Sequence, residues 1–153
     1  MSTNWDHHYL TIPSPVDRLV YALQQQTFAL VPLLVALVHV MLVRCNSKAR
    51  NPLSGYEKLV DKPVRILNNT VEQFILSAVN QLILATFLPA DLLFVIPFLA
   101  YTFAIGRILF IIGYNIQPEY RTPGFLLGFL PSAAATVVNL LYATGLNKHV
   151  PLP

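Results

Sequence analysis

Residues 19–43 read LVYALQQQTFALVPLLVALVHVMLV, a run that contains no Asp, Glu, Lys or Arg. A transmembrane helix needs about 20 consecutive, mostly apolar residues. The run therefore predicts a membrane-spanning helix over 15–43, with Pro32 as the position of a kink. Because the run is longer than the apolar region of a cleavable signal peptide, we expect it to act as an uncleaved signal anchor.

Three further stretches lack charged residues, and they predict three more transmembrane helices. The last of them, 122–147, is long enough to span a bilayer on its own. The stretches 73–90 and 92–106 reach that length only if Glu72 is included in one and Arg107 in the other. The expected helices are 63–88, 91–116 and 124–146.

The sequence thus predicts an all-α membrane protein, a four-transmembrane-helix bundle over 19–147 between a polar N-terminal tail (1–18) and a short C-terminal tail (148–153). Composition agrees, since 55% of the residues are hydrophobic and 11% are charged, against about 25% charged in a typical soluble domain. The single cysteine, Cys45, excludes an internal disulfide, and neither His39 nor the pair His7-His8 has the partners of a metal site. A soluble enzyme and a nucleic-acid binder are both disfavoured.

The positive charge is concentrated between the first two helices. This loop holds Arg44, Lys48, Arg50, Lys58 and Lys62, whereas the opposite side holds Arg18 and Lys148. Because Lys and Arg are enriched in cytoplasmic loops, the 44–62 loop is expected in the cytosol and both termini in the lumen of an endomembrane compartment. The glycosylation match at Asn68 then lies on the cytosolic side, so we interpret it as a chance match.

Polar residues on the second and third helices share a face and a depth. Arg65, Asn69 and Glu72 follow an i, i+4, i+7 spacing, and Arg107 and Tyr114 are seven residues apart. Glu72 lies about 10 Å of helix rise further into the membrane than Arg65, and Arg107 lies about 10 Å further in than Tyr114. The two charges therefore come out at similar depth, which predicts an ion pair. Two interpretations stay open. The pair locks the two helices together, or the face forms a polar pocket in which Arg65 binds a carboxylate, Asn69 and Glu72 bind amide or amine groups, and Tyr114 binds an acceptor.

A second polar stripe lies on the fourth helix, where Ser132, Thr136 and Asn139 again follow an i, i+4, i+7 spacing beside a run of alanines. Small and hydroxyl-bearing residues commonly hold membrane helices together. Helix packing is therefore favoured over a ligand site for this stripe.

The polar face also carries a family resemblance. The segment Arg65-Ile-Leu-Asn-Asn69-Thr-Val-Glu72 resembles the Arg-x-x-x-Asn-x-x-Glu pattern of the membrane-associated proteins in eicosanoid and glutathione metabolism (MAPEG), and Gly106-Arg107 followed by Tyr114 resembles that family's third-helix pattern. The similarity covers about 25–145. Residues 66–75 are particularly similar to the mattrin (transmembrane protein 79) branch of the family.

The resemblance implies a homotrimer in the lipid bilayer that binds glutathione between subunits. The implied cofactor-binding residues are Arg65, Asn69, Glu72, Arg107 and Tyr114. In the family's transferases an arginine at the start of helix four activates the glutathione thiol, but this chain has Phe125 there. Other polar positions of the family become Asn68, Phe110, Leu126 and Phe129. Arg107, Tyr114 and Arg121 remain as candidate catalytic groups, Arg121 only if its loop folds back.

Two functions from different classes follow. The first is a non-catalytic membrane protein that binds a lipid or a membrane-protein partner in membrane organisation or trafficking. The second is a glutathione-dependent transferase or peroxidase acting on lipophilic substrates. The first is favoured, because Phe125 removes the cation that would stabilise a thiolate.

Overall fold

The structure, a computed structural model, describes residues 14–51, 53 and 55–146. Most of the predicted N-terminal tail, with His7-His8, and the C-terminal tail with Lys148 lie outside these residues. Within them, the chain forms four long helices, α1 (Pro15–Cys45), α2 (Asp61–Phe87), α3 (Val95–Ile116) and α4 (Thr122–Ala143). All four are long and apolar enough to cross a membrane, which confirms the predicted four-helix membrane protein.

Local sequence explains where the helices begin and how they are joined. The Ser14 hydroxyl accepts a hydrogen bond from the Asp17 amide at 3.2 Å and so caps α1, whose first residue is Pro15. The α2–α3 connection contains a short 3-10 turn at Ala90–Leu92, and α3 therefore begins at Val95 rather than at residue 91. A second 3-10 turn, Pro118–Arg121, leads directly into α4.

The helices are arranged in a ring in the order α1, α2, α4, α3. Helix α1 packs on α2 and α3, and α4 packs on α3 and α2, while the α2–α3 contact is smaller. One end of the bundle holds the end of α1, the start of α2, the end of α3 and the start of α4; we call it the basic end, since the 46–60 loop lies there. At this end Arg44 and Glu57 form an ion pair at 3.1 Å that ties the loop to α1.

Helices α3 and α4 approach each other unusually closely at the basic end. A Cβ atom added to Gly124 would overlap the Phe110 nitrogen and the Gly106 carbonyl oxygen, both backbone atoms of α3. A Cβ atom added to Gly113 would overlap the Tyr120 carbonyl group. These glycines place the start of α4 directly against the end of α3 and thereby position Phe125 next to Phe110.

Apolar side chains face outward and many polar side chains face inward. Large hydrophobic residues such as Leu34, Phe98 and Leu130 are about 60% exposed, as expected for helices that contact lipid. The Asn139 side-chain amide donates to the backbone and side-chain oxygens of Asn80, both at 3.0 Å, and so joins α4 to α2. This contact supports the interpretation that the polar stripe on the fourth helix serves helix packing.

Candidate functional site

A polar cavity opens at the basic end between α2, the end of α3 and the start of α4. Its volume is about 440 Å³. The residues that line it come from three helices and the turn before α4: Arg65, Asn68, Asn69, Glu72, Phe110, Tyr114, Arg121, Thr122 and Phe125. Four of the five residues implied as cofactor-binding, Arg65, Asn69, Glu72 and Tyr114, therefore meet in one cavity.

The fifth, Arg107, lies beneath the cavity rather than in its wall. It is fully buried. One terminal nitrogen, Nη2, donates to the Asn69 side-chain oxygen at 2.9 Å and to the Thr70 hydroxyl oxygen at 3.1 Å. The guanidinium carbon lies 3.9 Å from the centre of the Phe110 ring, a short cation–π contact. Arg107 thus supports the floor of the cavity through Asn69 and Phe110.

The predicted ion pair between Glu72 and Arg107 is wrong. In the described part of the chain the ion pairs are Arg44–Glu57 and Arg65–Asp61, and Glu72 is exposed. Equal depth in the membrane is not sufficient for an ion pair, because the two side chains must also point toward each other from their helices. Thr70, which does contact Arg107, is buried, and Glu72 lies roughly 200° further around α2.

Arg65 and Arg121 stand at the mouth of the cavity. The Arg65 Nε atom donates to Asp61 at 2.9 Å, so the two exposed side chains form an i, i+4 pair. The turn before α4 does fold back toward α3. It places the Arg121 guanidinium carbon 5.0 Å from the centre of the Tyr114 ring. Arg121 was a candidate for the missing cation only if its loop folded back, and the structure shows that it does.

The sequence profile of the MAPEG family matches residues 20–141, which is most of the chain. The chain belongs to the MAPEG family. It is 33% identical to transmembrane protein 79 of Mus musculus over 132 residues and 30% identical to transmembrane protein 79 of Bos taurus, in each case over 86% of this chain.

The MAPEG chain spans about a third of the length of these curated relatives, 34% of the mouse protein and 33% of the bovine one. No solved structure matches it significantly. The resemblance inferred from Arg65, Asn69, Glu72, Arg107 and Tyr114 is therefore confirmed at the level of the family, and so is its similarity to the transmembrane protein 79 branch.

One wall of the MAPEG cavity is aromatic. Phe125 lines the cavity, and behind it Phe129 stacks on its ring with centres 5.5 Å apart and planes 13° from parallel. Phe110 packs against Tyr114 at 5.7 Å. The cavity thus has a polar side built from α2 and the turn before α4, and an apolar side built from α3 and α4.

Two further residues, Thr70 and Lys62, contribute to this site and were not predicted from the sequence. Thr70 donates to the Ile66 carbonyl oxygen at 2.8 Å, which leaves its oxygen able to accept from Arg107. Its position four residues after Ile66 on the buried face was the available signal. Lys62 approaches Tyr114, with its Nζ atom 6.0 Å from the ring centre and donating to the Asn115 carbonyl oxygen at 2.9 Å. No periodicity linked Lys62 to the site, because it reaches the end of α3 across the bundle.

Proposed function

We propose that this MAPEG protein is a non-catalytic membrane protein whose cavity at the basic end binds an anionic lipid, in a role in membrane organisation or trafficking. The observation that carries the proposal is Phe125, an aromatic residue in the cavity wall where the family resemblance implies a catalytic arginine. Attack by a thiol needs the thiolate, and an ordinary thiol with a pKa near 8.5 is mostly protonated at neutral pH. Phe125 supplies no charge to change that balance.

The two walls of the cavity suit an amphiphile. Arg65, Arg121 and the Asn68 amide lie on the polar side and can bind an anionic head group. On the other side, the Phe125 ring stacks on Phe129, and Leu126 and Leu130 of the same helix are 41% and 57% exposed. We expect an acyl chain to leave the cavity along this apolar surface of α4. Glu72 is available to accept a hydrogen bond from a hydroxyl or amine of the head group.

The first prediction concerns lipid retention. Arg121→Gln should weaken binding of an anionic phospholipid about tenfold, since a hydrogen bond to a charged group is worth roughly 1.5–3 kcal/mol. Native mass spectrometry of the detergent-solubilised protein, titrated with phosphatidylserine and separately with phosphatidylcholine, measures the adducts. Arg50→Gln is the matched control, because Arg50 is an exposed arginine of the loop that does not line the cavity. Equal loss in both variants, or equal binding of the two lipids, would argue against a lipid site here.

A second function, a glutathione-dependent transferase or peroxidase, is favoured by one observation. Arg121 lines the cavity and lies over Tyr114, so a cation is present in the cavity although Phe125 supplies none. If glutathione enters with its thiol toward Arg121, this arginine could stabilise the thiolate. Conjugation of glutathione to a generic electrophile distinguishes the two functions, because the lipid-binding role requires none.

We further propose a homotrimer in an endomembrane, as the family resemblance implies, with the basic end in the cytosol and both termini in the lumen. The charges of the 46–60 loop support this orientation. Homotrimer formation would place a neighbouring subunit beside the open cavity. The MAPEG relatives support insertion into the membrane as an integral membrane protein.

The second prediction tests the orientation. In a Cys45→Ser background, which removes the exposed native thiol, Lys48→Cys and Lys58→Cys should react with a membrane-impermeant maleimide only when the cytosolic side is exposed. Leu146→Cys, an exposed position just beyond α4 at the opposite end of the bundle, should react only from the lumen. Labelling of the two loop positions from the luminal side would invert the topology.

A further inference from the structure

The inner face of α2 is polar along most of its length. Thr70, Gln73, Ser77, Asn80 and Gln81 recur with helical spacing, and all are less than 9% exposed. The other helices contribute further buried polar groups: Gln26 from α1, Arg107 from α3, and Ser132 and Asn139 from α4. Buried polar groups are costly in the interior of a membrane protein unless each finds a hydrogen-bond partner.

Most of these groups bond across the helices. Gln26 donates to the Gln81 side-chain oxygen at 3.0 Å, and Gln81 donates to the Ser77 hydroxyl oxygen at 2.8 Å. Asn139 donates to Asn80, as described above. These two sets of bonds flank a small space at the centre of the bundle. This space is separate from the cavity at the basic end, and the two share no lining residue.

This central space is a second, partly enclosed cavity of about 10 Å³ between α2, α3 and α4. Such a volume is close to the smallest that holds one water molecule. Its polar wall is formed by Ser77, Asn80, Gln81 and Ser132, and its apolar wall includes Leu99 and Phe103. A water molecule is held in a protein interior when the space is large enough and two to four polar groups surround it.

The hydroxyl groups on either side of the cavity retain complementary capacity. The Ser77 oxygen accepts from Gln81, which leaves the hydroxyl hydrogen able to donate. The Ser132 hydroxyl donates to the Gly128 carbonyl oxygen at 3.0 Å, which leaves its oxygen lone pairs able to accept. Both serines are 4% exposed, so neither can obtain its second hydrogen bond from bulk solvent.

We propose that this central cavity binds a single water molecule, which accepts a hydrogen bond from Ser77 on α2 and donates one to Ser132 on α4. No charged residue lines the cavity among the described residues, so its walls suit a neutral group that both donates and accepts rather than a cation or an anion. The bound water joins α2 to α4 about one helical turn along α2, and two along α4, from the Asn80–Asn139 contact and so fixes the packing of these two helices. The site is independent of the lipid proposed for the basic end.

Radiolytic labelling in water enriched in oxygen-18 tests the proposal on the full chain in detergent. Hydroxyl radicals formed from a bound water oxidise the side chains next to it, and mass spectrometry reads the oxygen-18 incorporated. We expect labelling at Leu99 and Phe103, although Phe103 is only 2% exposed. Ile96 and Leu84, buried in an apolar cluster at 0% and 4% exposure, serve as dry controls. Labelling of Phe103 no faster than that of Ile96 would overturn the proposal.

Gly128→Ala is the variant that fills the cavity. Gly128 lines it, and an added Cβ would lie 3.6 Å from the Arg107 Cδ atom and 3.9 Å from a Phe103 ring carbon, both ordinary contacts. Labelling of Phe103 should fall severalfold, to the rate of Ile96. Ser132→Val provides a second, independent replacement that removes a polar wall group. Unchanged labelling in both folded variants would mean that the oxidised water lies elsewhere, and would contradict the assignment.

Discussion

Gly124→Ala is expected to destabilise the bundle by about 3 kcal/mol, the upper end of the usual cost of overpacking. The added Cβ would overlap backbone atoms of Phe110 and Gly106. Backbone atoms in the middle of a helix cannot move aside as a flexible side chain can, so α3 and α4 must separate. Separation would also displace Phe110 and Phe125 and thereby widen the cavity at the basic end.

The matched control for this prediction lies one turn along the same helix. A Cβ atom added to Gly128 meets only side-chain atoms, at 3.6 Å and beyond. Gly128→Ala should therefore change the free energy of unfolding by less than about 1 kcal/mol, helped by the higher helix propensity of alanine. Thermal melts of the purified protein in one detergent compare the two variants. Equal destabilisation by both would show that α3 and α4 are not in close contact at Gly124.

Loss of the groups that bind Arg107 is expected to have the other large effect. Asn69→Ala should destabilise the protein by about 1.5–3 kcal/mol, since it removes a hydrogen bond to a charged group. Combining it with Thr70→Val leaves the buried guanidinium without either acceptor, and the loss should reach roughly 3–5 kcal/mol. The same thermal melts measure both variants. Asn69→Asp provides the complementary test, because a carboxylate beside Arg107 keeps the acceptor and adds an opposite charge.

Double-mutant cycles separate Asn69 from Glu72 as the partner of Arg107. Asn69→Ala and Arg107→Leu should be non-additive by about 0.5–3 kcal/mol, because the two side chains are in contact. Glu72→Gln and Arg107→Leu should add to within about 0.5 kcal/mol, as expected for residues without a shared bond. A larger coupling to Glu72 than to Asn69 would restore the ion pair that the structure contradicts.

The sequence predicted the membrane helices and the depth of Arg107, but not which residue Arg107 contacts. Stretches with at most one charged residue marked each membrane helix, because length and apolarity predict whether a segment can span a bilayer. Rise per residue gave the depth of Glu72 and Arg107. The face that each residue presents depends on which helices are neighbours, and the ring order α1, α2, α4, α3 has no signature in the periodicity of any single helix.

The sequence also predicted part of the candidate site. The spacing of Arg65, Asn69 and Glu72 placed them on one side of α2, and all three line the cavity. The position of Arg121 could not be predicted, because it depends on the short turn before α4 and on the close approach of Gly113 to Tyr120. Nor did the sequence reveal the central cavity, since Ser77 and Ser132 lie on different helices and share no motif.

We propose above that this MAPEG protein has a cavity at the basic end that does not activate a thiol. Phe125 stands at the position of the implied catalytic arginine. Among the described residues that line the cavity the cations are Arg65 and Arg121, and Arg65 is paired with Asp61. Phe125→Arg returns a cation to the implied position, so weak conjugation in that variant would show that the cavity still admits glutathione. The variant thus separates loss of the catalytic group from loss of the cavity.

The most direct measurement is the rate at which the purified, unmodified protein conjugates glutathione to a generic electrophile at neutral pH. We expect a rate equal to the uncatalysed background, both for the unmodified protein and for Arg121→Gln. Conjugation well above background that is abolished by Arg121→Gln or Tyr114→Phe, and preserved in Arg50→Gln, would overturn the proposed non-catalytic function and make the protein an enzyme.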